Sequence, residues 1–461
     1  MDGEQVDIVV IGMGPGGEYA AGELAGAGLR VAGVEDRLTG GECPYWGCVP
    51  SKMMIRAANL LAEGRRIPGM AGTVQVTADW APVAERIRKE ATDDWNDQVA
   101  VERFEGKGGI FVRGRGRITA PGEVTVESLD GQQPPRVLHA SKGILINTGT
   151  DPAVPPIPGL AGTPFWTNRE AIETTEVPQS LITLGGGAIG AELSQVFARF
   201  GAKVTVIEAQ PRLLPLDEPE SGELLTKVFT EEGIEVHTGA AAKQISHDGS
   251  QFTVDIGKLS VCAERLLVAT GRRTSLAALG IGAIGLNEHA RTIDVNDWMC
   301  AAEGVWAIGD ITGKGAFTHV SMYQADIAVR DILGLGGPAA DYRAVPHVTF
   351  TDPEIAGVGL TEAEACAQGF EVRTGITQLP ASARGWIHKA GNDGFIKVIK
   401  DCERNVLIGA TSAGPAGGEV LGALAVAIHG EVPVPRLRTM IYAYPTFHRA
   451  IEEALKDLET S

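Results

Sequence analysis

Short apolar runs alternate along this chain with glycine-rich turns and stretches of helical periodicity. Val6–Ile11 is a β-branched apolar run, the pattern of a strand buried on both faces of a parallel sheet. It runs into Gly12-Met13-Gly14-Pro15-Gly16-Gly17. The helix predicted next places Ala21, Ala25 and Gly28 on or near one face, and Leu29–Val34 then reads as a second strand ending at Glu35. Strand, glycine turn, helix and strand together open a βαβ unit. The same order recurs downstream. Leu181–Leu184 is a strand, Gly185–Gly190 a turn, Glu192–Phe200 a helix, and Lys203–Ile207 a strand ending at Glu208. This internal repeat is the main organisational feature of the sequence.

Between the two copies, Ala78–Phe104 reads as helical, and Gly109–Thr119 and Glu123–Leu129 read as strands around Pro121-Gly122. Pro152–Pro158, with four prolines, reads as a linker. Beyond the Gly/Pro-rich stretch Gly334–Pro338, Val345–Ser461 mixes strands and helices without a third glycine turn. The predicted class is α/β: two Rossmann-like dinucleotide-binding domains plus a C-terminal α+β domain. The expected divisions are 1–150, 151–275, 276–344 and 345–461, the first and third being parts of one domain.

Composition narrows the possibilities. A chain of 461 residues with 44% hydrophobic and 21% charged positions is an ordinary globular one, too long for a single core. Its formal net charge of -18 lacks the basic footprint that nucleic acids or anionic membranes require, so neither is an expected partner. No apolar run reaches the ~18–20 residues of a membrane span. The N-terminal stretch carries acids where a signal peptide carries positive charge, and a cytoplasmic location is expected. Six cysteines in this length do not make a disulfide framework, and in a reducing compartment a close pair points to catalysis or metal binding.

Each glycine turn has the full context of a dinucleotide site. The first glycine permits the tight turn, the second lets the backbone approach a pyrophosphate, and the third lets helix pack on strand. The helix N-terminus offers unpaired N–H groups to phosphate. An acid at the end of the second strand accepts from ribose hydroxyls. These residues are Gly12, Gly14, Gly17 and Glu35 in the first copy and Gly185, Gly187, Gly190 and Glu208 in the second. Glu208 would repel the 2′-phosphate of NADP, so NAD is favoured, although the nearby Arg212 keeps NADP possible.

Gly40-Gly41-Glu42-Cys43-Pro44-Tyr45-Trp46-Gly47-Cys48-Val49-Pro50-Ser51-Lys52 holds two cysteines five positions apart. In a regular helix that spacing separates Cα atoms by about 8–9 Å. A disulfide needs roughly 4.4–6.8 Å. A bridge therefore requires a break, which Pro44 and Gly47 allow, with a helix starting near Pro50. A thiol at a helix N-terminus near a lysine is expected to have a lowered pKa. Half a zinc site and two unrelated buried thiols are the alternatives. No second Cys/His pair of suitable spacing appears, so no metal site is expected, and Cys262, Cys300, Cys366 and Cys402 read as structural.

The segment GGECPYWGCVPSK resembles the active-site segment of the class I pyridine nucleotide-disulfide oxidoreductases, which include lipoamide dehydrogenase, glutathione reductase and mercuric reductase. The resemblance covers essentially the whole chain. It includes both glycine turns, Asn147-Thr148-Gly149, Ala269-Thr270-Gly271, Gly304–Asp310, and Val345-Pro346 through Thr351-Asp352-Pro353-Glu354. It implies that the first turn, Glu35 and Gly41 hold the ADP half of FAD, with Gly116 at the adenine. It also implies that Thr148 and Gly149 line the flavin site, that Asp310 binds the ribityl chain, and that Ala316–His319, including Thr318 and His319, passes under the flavin ring. Lys52 and Glu192 match an ion pair near the hydride-accepting nitrogen, and Gly271 lies by the nicotinamide nucleotide. The implied path runs from NADH through FAD to the Cys43–Cys48 disulfide, Cys48 facing the flavin and Cys43 exchanging with substrate. The C-terminal domain would be a dimerisation domain, completing each active site in a homodimer.

The resemblance breaks at the C-terminal signature His-Pro-Thr-x-x-Glu. Here the chain reads Tyr444-Pro445-Thr446-Phe447-His448-Arg449, with Tyr444 in the place of the proton-transferring His and Arg449 in that of its Glu. Histidine titrates near neutrality, whereas tyrosine titrates near pH ~10. His448 is the nearest substitute, and Arg449 is either an anion-binding group or a solvated one. Glu42 stands where the family often has Thr, beside the expected FAD pyrophosphate. The sequence shows neither an N-terminal metal-binding module nor a C-terminal cysteine pair, which disfavours mercuric and high-molecular-weight thioredoxin reductase readings.

The leading expectation is an NADH-dependent oxidoreductase acting on a small-molecule or protein disulfide. A reductase of quinones, metal ions or other non-thiol acceptors is the alternative, because such transfer needs no histidine base. Carboxylation of a thioether-linked ketone and a non-enzymatic flavoprotein are further readings, against which the intact cysteine segment argues.

Overall fold

The first apolar run becomes the centre of a parallel sheet. In the computed structural model, which describes residues 3–459, Glu4–Ile11 pairs in parallel with Val31–Glu35 on one side and Arg136–Ile146 on the other. Ile8, Val9 and Val10 are wholly buried, as expected of a strand covered on both faces. The sheet continues through Ile110–Arg113 at one edge and through Val305–Ala307 and Cys300–Ala302 at the other. An antiparallel pair, Arg115–Ala120 and Glu123–Glu127, joins Arg136–Ile146. Helix Pro15–Gly26 starts with Pro at its first turn, where the missing N–H costs nothing, and packs against helix Thr318–Ile332. A Cβ on Gly16 would lie 2.2 Å from Ser321 Oγ, so the close approach of these helices requires glycine there.

These elements form one compact unit, made of residues up to Pro50, Glu85–Ala153 and Arg272–Asp341. The second unit comprises Ser51–Ala84, Val154–Gly271 and the chain from Tyr342 on. It contains a four-stranded parallel sheet in the order Glu235–His237, Lys203–Ile207, Ser180–Leu184, Arg265–Val268. It also contains a three-stranded antiparallel sheet, Gln244–His247, Phe252–Asp255 and Ser260–Ala263. A five-stranded antiparallel sheet follows, ordered Pro346–Thr349, Glu354–Gly359, Val406–Gly414, Phe395–Asp401, Val372–Gln378. Helices Gly417–His429 and Ala450–Asp457 cover it, burying Leu421, Leu424, Ile451 and Leu455. Two α/β domains and an α+β domain are thus the fold of the chain. Among the described residues, no helix is long and apolar enough to cross a membrane.

Local expectations differ from the structure most in two places. Ala78–Phe104 is not one helix but Ala81–Arg86, a π-helical turn Ile87–Ala91, and Gln98–Gly106. Asp93, Asp94 and Trp95 between them have positive φ, and the Thr92 hydroxyl donates to the Ile87 and Arg88 carbonyls, which ends the first helix. Gly109–Thr119 is likewise two strands, interrupted at Gly114, where φ is +157° and a Cβ would lie 2.6 Å from the Glu127 carbonyl oxygen.

Candidate active site

The first glycine turn is closed by contacts that admit no side chain. Gly12 has φ +92°, and a Cβ there would sit 2.4 Å from the Asn147 carbonyl oxygen; one on Gly17 would sit 2.0 Å from that of Gly12. Gly14 is the N-cap of helix Pro15–Gly26 and supplies no side-chain cap. Gly41 lies against the same turn, its Cβ position 2.9 Å from Gly14 Cα. Glu35 has a second job besides the ribose contact read from its position. Its carboxylate accepts from the backbone N–H of Met13 and of Arg37, both at 2.8 Å, so it ties the strand end to the turn. Burial pushes this carboxyl up, and the two backbone hydrogen bonds pull against that. Asn147, seen in the sequence only as part of a strand end, donates to the Gly12 carbonyl at 3.2 Å and accepts from Ser321 at 3.2 Å. Thr148 and Gly149 follow it, Gly149 with φ +62°. Gly116 lies in strand Arg115–Ala120 against Ile11 and Val34, each 3.1 Å from its Cβ position. A narrow backbone cradle at an uncapped helix start is the donor set that a pyrophosphate takes, so the residues present fit the ADP half of FAD.

The second turn, in the other unit, repeats these contacts. Gly185 has φ +105° with its Cβ position 2.3 Å from the Ala269 carbonyl oxygen, and that of Gly190 lies 2.0 Å from the Gly185 carbonyl oxygen. Gly187 caps helix Ala188–Arg199 and has open space at its Cβ position. Glu208 accepts from the N–H of Gly186 at 2.5 Å and of Gln210 at 2.6 Å, the counterpart of Glu35. Arg212 does not pair with it. One guanidinium nitrogen of Arg212 donates to the Pro215 and Asp217 carbonyls, both at 3.0 Å. Gly271, with φ +112°, ends the loop after strand Arg265–Val268.

Cys43 and Cys48 occupy two helices broken at Trp46-Gly47. Cys43 lies in Glu42–Tyr45, and Cys48 begins Cys48–Arg66, two residues earlier than Pro50. Pro50 falls in the first turn of that helix, where it is tolerated. The break brings the sulfurs into hydrogen-bond contact as thiols, which a continuous helix would not allow. The Thr318 hydroxyl lies 3.4 Å from Cys48 Sγ and also interacts with Cys43. The thiol of Cys43 is not lowered. The hydrogen bond with Cys48 pushes it well up, burial and the Cys48 charge add to this, and Thr318 pulls the other way. Two thiols this close titrate as a pair. His319 is exposed, its ring stacked on Phe317 at 5.2 Å.

Lys52 and Glu192 come together within the second unit. Lys52 Nζ lies 2.9 and 3.2 Å from the two Glu192 oxygens, and Glu192 is only 5% exposed. The carboxylate also accepts from the Phe350 N–H at 2.8 Å, and the lysine lies 4.7 Å over the Phe350 ring. The buried carboxylate is thereby satisfied and the ammonium held in place.

Asp310 begins a network that the sequence did not reveal. It accepts from Thr150 at 2.9 Å; Thr150 in turn accepts from Arg272 through its hydroxyl at 2.8 Å and its carbonyl at 2.6 Å. Burial pushes the Asp310 carboxyl up, while Thr150 and Arg272 pull it down. Arg272 stands 3.7 Å from Glu42, and Arg37 stands 3.9 Å from the other Glu42 oxygen. Thr150 precedes the proline-rich linker and Arg272 follows the loop at Gly271, so no local pattern connects them.

In the C-terminal segment Tyr444 is 70% exposed, with the Arg449 guanidinium 5.6 Å over its ring. Arg449 also donates to the Tyr442 carbonyl at 3.2 Å and pairs with Glu452 at 3.1 Å, so neighbouring residues occupy its head. His448 lies 3.5 Å from the Thr446 hydroxyl.

Comparison with known proteins places this geometry. Residues 6–325 match the family model described as pyridine nucleotide-disulphide oxidoreductase, and residues 345–455 match its dimerisation domain. The chain is 34% identical to a dihydrolipoyl dehydrogenase of Chlorobaculum tepidum over 98% of its own length and 97% of the relative's. It is 33% identical to a mercuric reductase of Acidithiobacillus ferrooxidans over 98% and 82% respectively. Among solved structures it resembles the Cu(II) complex of the HOCl-induced flavoprotein disulfide reductase RclA from Escherichia coli, with TM-score 0.85, 26% identity and 99% of each chain covered.

Proposed function

The chain belongs to the pyridine nucleotide-disulphide oxidoreductases, and from that membership we propose that it carries hydride from NADH to the Cys43–Cys48 pair and on to a disulfide acceptor. It is an FAD- and NAD(P)-dependent oxidoreductase with a closely placed cysteine pair. Bound FAD supplies the two-electron relay between the nicotinamide and the thiols. The protein's contribution is position and charge. Residues 1–150 and 276–344 take FAD, through the first glycine turn, Glu35, Gly41, Gly116, Thr148, Gly149, Asp310, Thr318 and His319. Residues 151–275 take NAD through the second turn, Glu208 and Gly271, and the Glu208 carboxylate, held at the end of its strand by two backbone N–H groups, would repel a 2′-phosphate. Lys52, fixed by Glu192, would supply a positive charge that favours hydride acceptance by the flavin.

The observation that carries this reading is the grouping of Cys43, Cys48 and Thr318. Reduction of the disulfide breaks the S–S bond, takes two electrons and one proton, and leaves one thiol and one thiolate, and the Thr318 hydroxyl can donate to whichever sulfur bears the charge. Residues 345–461 form the dimerisation domain of a homodimer, in which Tyr444 of the partner subunit faces Cys43. Tyr444 and Arg449 stand in the places of the His–Glu relay, and His448 is the nearest imidazole that could serve disulfide exchange instead.

A second reading is favoured by the same replacement, because transfer to a non-thiol acceptor needs no histidine base. Electrons would then leave for a quinone, a metal ion or another non-thiol acceptor. Steady-state NADH oxidation with lipoamide, small disulfides and a quinone, in wild type and Cys43→Ser, separates the two. Disulfide reduction in wild type that Cys43→Ser abolishes is the expected result, with NADH preferred to NADPH. Inert disulfides and quinone turnover that survives Cys43→Ser would establish the second reading instead.

A further inference from the structure

Helix Ala188–Arg199 carries a buried polar row inside the second unit. Glu192, Gln195 and Arg199 are three and then four residues apart, the spacing of one helix face, and all three are buried. The two ends of the row take partners on helix Cys48–Arg66: Glu192 holds Lys52, and Arg199 donates to the Asn59 side chain at 2.6 Å. Gln195, between them, clasps the backbone of Asp352. Its amide nitrogen donates to the Asp352 carbonyl at 2.9 Å, and its amide oxygen accepts from the Asp352 N–H at 2.7 Å. The same nitrogen also donates to Glu232 at 3.3 Å.

The clasped segment reaches back to the ion pair. Phe350, two residues before Asp352, donates its N–H to Glu192 at 2.8 Å, and its ring lies 4.7 Å from the Lys52 ammonium. One side chain therefore fixes the stretch of backbone that touches both members of the pair. The Asp352 carboxylate is bonded separately by Arg199 and Arg66. Loss of the Gln195 amide would leave the segment attached, but it would strip partners from a buried N–H and a buried carbonyl. Buried backbone groups rarely stay unpaired, so the segment would shift to satisfy them and carry Phe350 with it.

We infer that Gln195 is a positioning residue for flavin reduction, holding Phe350–Asp352 where the Phe350 N–H and ring keep Glu192 and Lys52 in place. The inference rests on the proposed role of Lys52 in favouring hydride acceptance by the flavin.

The test is a double-mutant cycle on NADH-driven flavin reduction, read by rapid mixing as loss of flavin absorbance in the FAD-loaded protein. Gln195→Leu and Gln195→Met keep an apolar side chain of similar bulk and remove the bonds. Each should lower the limiting rate about tenfold, within the ~10²-fold that a misplacement of about 1 Å can cost, with the half-saturating NADH concentration unchanged. Lys52→Met should lower the rate at least as much, and adding either Gln195 change to it should lower it no further, since no ammonium remains to be misplaced. If one Gln195 variant fails to fold, the other carries the comparison. A wild-type limiting rate in the Gln195 variants would overturn the inference. So would a Gln195 effect that persists in full beside Lys52→Met, the mark of general damage to the fold. Wild-type flavin reduction in Lys52→Met alone would instead overturn the proposed role of Lys52, and this inference with it.

Discussion

Cys43 is partly buried, held against Cys48 and within reach of Thr318, and its thiol sits well above the ordinary range. A raised thiol stays protonated, and so weakly nucleophilic, until the pH passes its own titration rather than that of a free cysteine near ~8.5. In the reduced protein, alkylation of Cys43 by iodoacetamide, followed by mass spectrometry, should be slow near pH ~7 and still rising near pH ~10. A rate that levels off below pH ~8 would show the thiol to be activated instead. The expectation of a lowered thiol came from helix position and the nearby lysine. At Cys43 the second sulfur, whose closeness is a three-dimensional fact, pushes the other way. Glycines 12, 17, 185 and 190 were legible because the turn's geometry forces their identity, and Gly14 and Gly187 because their spacing completes the pattern. Asn147, Thr150 and Arg272 were not, because their partners lie far away in sequence and each bond could be made by several residue types.

Among the elements, the two strand–turn–helix units were the most legible, since apolar run, glycine spacing and terminal acid agree with one another. The structure adds a reason for the acid. Glu35 and Glu208 both accept backbone N–H groups from their own turns, so each braces the cradle it serves. Gly190→Ala tests the second turn separately, because the added carbon would sit 2.0 Å from the Gly185 carbonyl oxygen. Rapid-mixing measurement should show NADH-driven flavin reduction slowed at least about tenfold, matching the ~1–3 kcal/mol that overpacking costs, with FAD content unchanged. Normal reduction by NADH would remove this turn from the nucleotide site. Helical periodicity misled in Ala78–Phe104, where pattern alone does not register a hydroxyl that turns back on the carbonyls of its own helix.

For the molecule as a whole, the fold class was readable, but the side-chain links that tie together the separated stretches of each unit were not. A buried ion network inside the second unit illustrates how. Arg199 is 3% exposed and bonds Asp352 at 2.8 Å, Asn59 at 2.6 Å and Glu232, while Arg66 bonds Asp352 at 2.7 Å. These residues join three distant segments, and a sequence shows only their charges. Arg199→Ala would remove one of the two guanidinium partners of buried Asp352 and the guanidinium partner of Glu232, so chemical denaturation should show a loss of ~1.5–3 kcal/mol. A change within ~0.5 kcal/mol, typical of surface substitutions, would mean that the network is not load-sharing.

The central claim is that the cysteine pair accepts electrons from the flavin. Anaerobic reductive titration with NADH, followed by flavin absorbance and thiol counting, tests it directly. The account predicts that oxidised wild type takes up one equivalent of two-electron reductant for the flavin and a second that appears as new thiols at Cys43 and Cys48, with Cys43→Ser accepting only the first. Identical uptake in wild type and Cys43→Ser, with no new thiols, would contradict it.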